Sequence, residues 1–267
     1  MSRISDAFCG GKAFIPFITC GDPDLETTKK LVRAVVGVGA DIVELGIPFS
    51  DPTAEGPVIQ EASMRALSGG VTTDRIFDMV KELRETVKVP LVFMTYANVV
   101  YSYGNNGRSD VTGGTDRFLR KAAEAGIDGL ILPDVPFEEK EDFEPVCKKH
   151  GITLISLIAP TSHERVAMAA KEAEGFVYCV SSLGVTGVRS RITTDIGGMV
   201  EQVRQVTKVP TAVGFGVSTP EQAREMSEKA DGVIVGSAIM KIIGQYGRDC
   251  VPYVAEYVKR MKAAMSR

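Results

Sequence analysis

Ala40-Asp41-Ile42-Val43, Ile127-Asp128-Gly129-Leu130-Ile131 and Ala230-Asp231-Gly232-Val233-Ile234 are one phrase written three times along the chain. In each, an aspartate closes an amphipathic stretch and opens a short apolar, β-branched run. Val87-Lys88-Val89-Pro90 and Thr207-Lys208-Val209-Pro210 do the same before two further runs, with the proline at the strand start, where a missing N–H is tolerated. Working outward from these markers, eight runs read as strands: 14–19, 41–45, 91–96, 129–132, 153–158, 176–180, 211–214 and 232–235. Helical segments such as 25–38, 73–86, 116–125, 138–150 and 220–230 lie between them. Strand and helix alternating from end to end implies parallel βα units. Eight of them favour closure into a single (β/α)8 TIM barrel with extra helices over a large doubly wound open sheet.

The 267 residues match the size of one such barrel, so residues 1–267 are expected to form one domain. Hydrophobic residues at 44% and charged residues at 24% are ordinary for a globular chain. A net charge of −3 supplies no electrostatic footprint for nucleic acid or an anionic membrane. The five cysteines are scattered, with no C-x-x-C pair, and the two histidines, His150 and His163, lack ligand spacing and read as surface residues. Neither a disulfide framework nor a metal site is suggested, and a reduced cytoplasmic setting is expected. No cationic region followed by an apolar one opens the sequence, and no apolar run has the length of a membrane span, so neither export nor insertion is expected.

One stretch breaks the rhythm. Residues 105–114, Asn-Asn-Gly-Arg-Ser-Asp-Val-Thr-Gly-Gly, are dense in turn formers and have no apolar period. They read as a mobile loop at the C-terminal side of the third strand, or as an insertion without function.

In a (β/α)8 barrel, chemistry collects where strands end. The second strand places Glu44 on the same face as Ile42, inside an otherwise apolar run. Such a carboxylate faces the barrel interior or the helix layer, both poor in water, and burial would raise its pKa into the range useful for proton transfer. A solvated glutamate at a frayed strand end is the alternative. The next loop, Pro48 to Pro57, is stiffened by prolines and carries two more acids, Asp51 and Glu55. It can serve as the second half of an acid–base pair or as a rigid polar turn. Glycine clusters close three later strands: Gly184-Val185-Thr186-Gly187, Gly214-Phe215-Gly216 and Gly236-Ser237. Glycine lets backbone N–H groups approach a phosphate, and a helix N-terminus adds partial positive charge. Lys88 and Lys208 precede their strands and therefore sit at the opposite end, which disfavours Schiff-base chemistry. No dinucleotide fingerprint is present, so no cofactor is called for.

At these residues the chain resembles the tryptophan synthase α subunit family, from about Phe14 to the final helices. The segment from Val43 to Gln60, Val-Glu-Leu-Gly-Ile-Pro-Phe-Ser-Asp-Pro-Thr-Ala-Glu-Gly-Pro-Val-Ile-Gln, is similar to that family's signature. Supporting matches are Pro16-Phe17-Ile18-Thr19, Gly21-Asp22-Pro23, Tyr96-Ala97-Asn98, Pro133-Asp134-Val135-Pro136 and Gly236-Ser237-Ala238-Ile239, together with the first two glycine clusters. The resemblance implies a lyase that splits indole-3-glycerol phosphate into indole and glyceraldehyde 3-phosphate. By the same resemblance Glu44 is the acid that protonates the indole ring carbon and then takes the glycerol hydroxyl proton, and Glu55 holds the indole N–H. Phe17, Tyr96 and Phe215 would wall the indole, with Tyr178 and Thr186 also on the substrate side. Gly187, Gly214, Gly216, Gly236 and Ser237 would hold the phosphate. Pro48 and Asp51 would contact a β subunit, in an α2β2 assembly.

Two departures stand out from the family's pattern. Glutamate occupies position 55 where aspartate is usual, with threonine at 53 where leucine is frequent, and residues 105–114 are inserted. Two other readings stay open on sequence alone: another phosphate-binding barrel enzyme, against which the Val43 to Gln60 signature argues, and a non-catalytic regulatory subunit, which only the exchange at 55 favours.

Overall fold

The computed structural model describes residues 3–104, 112–160, 162–180, 195–214 and 216–265. Nine parallel strands form one sheet: β1 (Ala13–Thr19), β2 (Val43–Gly46), β3 (Leu91–Met94), β4 (Gly129–Ile131), β5 (Thr153–Leu154), β6 (Ser156–Ile158), β7 (Val177–Val180), β8 (Thr211–Gly214) and β9 (Gly232–Val235). Their order is β5-β4-β3-β2-β1-β9-β8-β7-β6. The two ends of that order, β5 and β6, are halves of one stave separated by buried Ile155, whose N–H still donates to Leu130 O at 2.9 Å. The sheet therefore curls back on itself as an eight-stave barrel. The expected run 153–158 is this stave. It divides where its pairing passes from β4 to β7.

The repeated aspartate phrase has a structural cause at the N-terminal end of the barrel. Asp41 precedes β2, and its carboxylate accepts the N–H of Phe14 in β1 at 2.7 Å while its own N–H donates to Phe14 O. Asp128 does the same to Leu91 in β3, at 2.9 Å, and Asp231 to Thr211 in β8, at 2.9 Å. Each aspartate thus closes a two-way bond with one residue of the neighbouring strand and satisfies an N–H in the first two residues of that strand. Each carboxylate also meets a cation: Lys262 on Asp41, Arg84 and Arg3 on Asp128, and Arg204 on Asp231. Charge-assisted bonds of this kind are about twice as strong as neutral ones.

Helices cover the outside of the barrel. Leu25–Gly37 starts at Asp24, which accepts from Thr27 N at 2.7 Å, and Pro220–Lys229 starts with a capping box of Thr219 and Gln222. The C-terminal helix Val251–Met265 packs between these two. Outside β3, Phe77, Phe93, Tyr103 and Phe118 form an aromatic cluster with ring centroids 5.4 to 6.3 Å apart, which joins Thr73–Arg84 to Thr112–Ala125. Among the described residues no helix is long and apolar enough to cross a membrane. His163 is exposed, whereas the His150 side chain, expected at the surface, is 14% exposed and paired with Asp116.

Residues 105–111 of the expected loop 105–114 lie outside the described residues, but Thr112–Ala125 is already helix. Gly114 was read as a turn former for want of a neighbour. In the fold, a Cβ there would lie 1.8 Å from Tyr101 O, so glycine is needed for the close approach of Ala97–Ser102 to this helix.

Asp128 and Arg84 are only 14% and 13% exposed, against 35% and 42% for Asp231 and Arg204. Removing Asp128 strands a half-buried guanidinium, so Asp128→Ala should cost about 3 kcal/mol in urea unfolding. Asp231→Ala should cost about 1 kcal/mol, since its partner can return to water. Equal losses would mean that the strand-start hydrogen bonds, and not burial of the ion pair, set the stability of this end.

Candidate active site

Glu44 lies in the middle of β2, paired in register with Phe17 of β1 and Val92 of β3. It lines a cavity with Phe17, Met94, Tyr178 and Ile234, contributed by β1, β3, β7 and β9. Side chains from opposite staves can meet only inside the barrel, so Glu44 faces the interior and not the helix layer. It is fully buried, and neither carboxylate oxygen has a hydrogen-bond partner. A charge there would be stripped of water with nothing in return. Burial accordingly pushes the Glu44 carboxyl up from 4.5 to about 8.

A second, smaller cavity continues from the first, sharing Phe17, Ile59 and Met94, and adds Thr19, Phe49, Ser63, Tyr96 and Glu55. Glu55 is 4% exposed, with one carboxylate oxygen buried and unpartnered. Its backbone is held from the helix that follows, where Gln60 Nε2 donates to Glu55 O at 2.8 Å. Burial raises its carboxyl to about 7, with its own backbone N–H acting against the rise and the charge of Asp134 adding to it. The buried Tyr178 hydroxyl is held protonated well above the ordinary range by burial, with the charges of Glu44 and Glu55 adding to the rise.

At the other end of the first cavity stand Gly216, Gly236 and Ser237. Gly216 has φ +96°, a conformation that favours glycine. Gly236 precedes the helix Ser237–Tyr246 and offers no side chain to cap it, so the helix begins beside the cavity without a side-chain cap. At Gly214 a Cβ would lie 2.5 Å from the Tyr178 hydroxyl, so glycine there leaves room for the tyrosine. Thr186, Gly187 and Phe215 fall outside the described residues. Of the residues expected at a partner surface, Asp51 is exposed, while Pro48 is buried beneath the loop.

The fold also brings in residues that the sequence reading left aside. Ile59, Met94, Val217 and Ile234 complete the apolar lining, and nothing distinguishes them in sequence from core residues. Asp134 carried a signal, being an acid just past the C-terminal end of β4, on the side where barrels collect their chemistry. Its two carboxylate oxygens each accept from Ala97 N at 3.1 Å.

Buried carboxyl groups beside a cavity inside a (β/α)8 barrel define a class, the barrel enzymes. Comparison with known proteins narrows it. The family model for the tryptophan synthase alpha chain matches residues 7–266. The chain is 45% identical over 265 residues to the tryptophan synthase alpha chain of Lacticaseibacillus casei, an alignment covering 99% of this chain and 96% of that one. The crystal structure of tryptophan synthase alpha chain from Legionella pneumophila subsp. pneumophila is similar at a TM-score of 0.86 and 36% identity, over 100% of this chain and 98% of that one. A chain from the tryptophan synthase complex of Pyrococcus furiosus gives 0.83 and 35%, over 95% and 99%. This chain belongs to the tryptophan synthase alpha chain family. It is a carbon–carbon lyase of tryptophan biosynthesis, cleaving indole-3-glycerol phosphate to indole and glyceraldehyde 3-phosphate.

The raised carboxyls predict a pH dependence of folding. Between 4.5 and about 8 the folded chain keeps a proton on Glu44 that the unfolded chain has released. The folded state then binds more protons, so stability falls as pH rises through this window and levels off above it. Glu55 contributes the same sign between 4.5 and about 7. Glu44→Gln, neutral at every pH, should show a shallower decline in unfolding midpoint than the unmodified chain. Parallel curves for the two proteins would mean that Glu44 is not held protonated.

Proposed function

We propose that Glu44 and Glu55 carry out the cleavage as a proton donor and an N–H acceptor. The observation that carries this reading is the Glu44 carboxyl, fully buried with both oxygens unpartnered and facing a cavity that ends in a helix N-terminus. Breaking the bond between the indole ring and the glycerol chain requires the ring to accept an electron pair. Glu44, protonated at neutrality, gives its proton to the ring carbon that bears the chain. Glu55 in its carboxylate form accepts the indole N–H as positive charge develops there. The Glu44 carboxylate next removes the proton of the adjacent glycerol hydroxyl, the carbon–carbon pair returns to the ring, and the hydroxyl carbon becomes the aldehyde. Glu44 ends protonated, ready for the next turnover.

Phe17, Tyr96 and Tyr178 bound the apolar part of the site, where the indole is proposed to lie. Gly216, Gly236 and Ser237 are proposed to take the phosphate on backbone N–H groups, aided by the partial positive charge of the helix start. One domain, 1–267, carries the activity in this reading. The partner is a tryptophan synthase β subunit in an α2β2 assembly, with Asp51 on the exposed turn of the loop as a contact and Pro48 stiffening the turn from beneath. The setting is the cytoplasm. That relatives are solved as a tryptophan synthase complex supports the choice of partner.

Glu44→Gln should retain substrate affinity and lose cleavage by at least about 10²-fold, the lower range for a positioned acid–base group. Indole release at near-normal turnover in that variant would remove Glu44 from the reaction. Ser237→Asp should raise KM roughly tenfold or more, because a carboxylate would then face the phosphate dianion. An unchanged KM would place the anion elsewhere.

A further inference from the structure

Tyr96 makes two contacts with the loop that carries Glu55, one on each side of its turn. Its ring lies 5.3 Å from the Phe49 ring, centroid to centroid, at the start of the loop. Its hydroxyl oxygen accepts the N–H of Ala54 at 2.9 Å, one residue before Glu55. The residue is 4% exposed, so this phenol is withdrawn from water and the bond to Ala54 is not one that solvent readily replaces. Gln60 holds the carbonyl on the far side of Glu55, as described above. The backbone of Glu55 is therefore tied both before and after its Cα.

Tyr96 is itself fixed. It lies two residues past β3 and stands at the start of the helix Ala97–Ser102, whose first N–H is taken by both oxygens of Asp134. Asp134 follows β4. A chain of contacts runs from the end of β4 through Asp134, Ala97 and Tyr96 to Ala54 and Glu55. A glutamate carboxyl sits on three rotatable bonds, so its placement inside the cavity depends on a backbone that does not move.

We infer that the Tyr96 hydroxyl is a positioning group for Glu55, pinning the loop 48–57 to the rim of the barrel, in addition to any contact of the ring with substrate. The inference rests on the proposed role of Glu55. A wall for indole needs only the ring, which phenylalanine supplies equally well, whereas the pin needs the oxygen. The two roles are therefore separable by removing one atom.

The test is steady-state indole release from indole-3-glycerol phosphate by the full chain carrying Tyr96→Phe, Glu55→Ala or both, with thermal unfolding of each. Displacement of a reacting group by about 1 Å can cost up to ~10²-fold. Tyr96→Phe should accordingly lower kcat by roughly tenfold to 10²-fold with KM and the unfolding midpoint little changed. In the Glu55→Ala background the second substitution should cause no further loss, because the group it positions is gone. Full turnover by Tyr96→Phe alongside an inactive Glu55→Ala would overturn the pin and leave the role of Glu55 intact. The same loss in both backgrounds would show that Tyr96 acts on the substrate directly, and a rise in KM alone would assign it to binding; either result overturns the inference. Normal turnover by Glu55→Ala would remove the proposed role of Glu55, and the pin with it. A lowered midpoint for Tyr96→Phe that accounts for the lost activity would make the bond a support of the fold alone, which is also against the proposal.

Discussion

A parallel strand begins with an N–H group that its neighbours do not reach unless something is placed there for it. Here the answer is an aspartate at the foot of the next stave, which accepts that N–H and returns its own to the same residue at Phe14, Leu91 and Thr211. These reciprocal bonds lock adjacent staves in register. Since side chains alternate between faces along a strand, a slip of one residue would turn Glu44 out of the barrel and put Val43 or Leu45 in its place. The position of the buried Glu44 carboxyl at the upper end is thus set by carboxylates at the lower end.

The two ends treat polar groups in opposite ways. At the foot, every aspartate of the repeated phrase is paired with a backbone N–H and a cation. At the mouth, the buried oxygens without a described partner are both of Glu44, one of Glu55, and the hydroxyls of Thr19 and Thr95. Each such atom costs stability in the free protein. Those of Glu44, Glu55 and Thr19 lie on the two adjoining cavities, where polar atoms of a substrate can meet them.

Most of the architecture was legible because parallel strands buried on both faces leave continuous β-branched runs, and the aspartate phrase marks three of them. That same double burial kept the direction of Glu44 undecided until the barrel was closed, since either face of β2 would have been dry. The division at Ile155 left no trace because a change of pairing partner alters no residue type. Gly214 was assigned with the phosphate glycines by its neighbours in sequence, and only the fold reveals that Tyr178 occupies the space its Cβ would need. Asp134 lies 79 residues beyond Glu55 in the chain, and their proximity is a product of barrel closure that no local pattern encodes. The contact of Tyr96 with Ala54 is of the same long-range kind, so the motif containing Tyr96 could suggest a wall for a substrate but not a tie to a loop.

Two glutamates in one site can act as different reagents only if their surroundings separate their proton affinities. Glu44, with neither oxygen partnered, is raised further than Glu55, which keeps the help of its own backbone N–H. At neutrality the first holds its proton and the second stands near balance. In the proposed reaction, an indole ring between Phe17 and Tyr178 disfavours the charged form of Glu44 still more, and its N–H, directed at Glu55, favours the charged form there. On that proposal substrate binding drives the two carboxyls apart, one toward the acid and the other toward the acceptor.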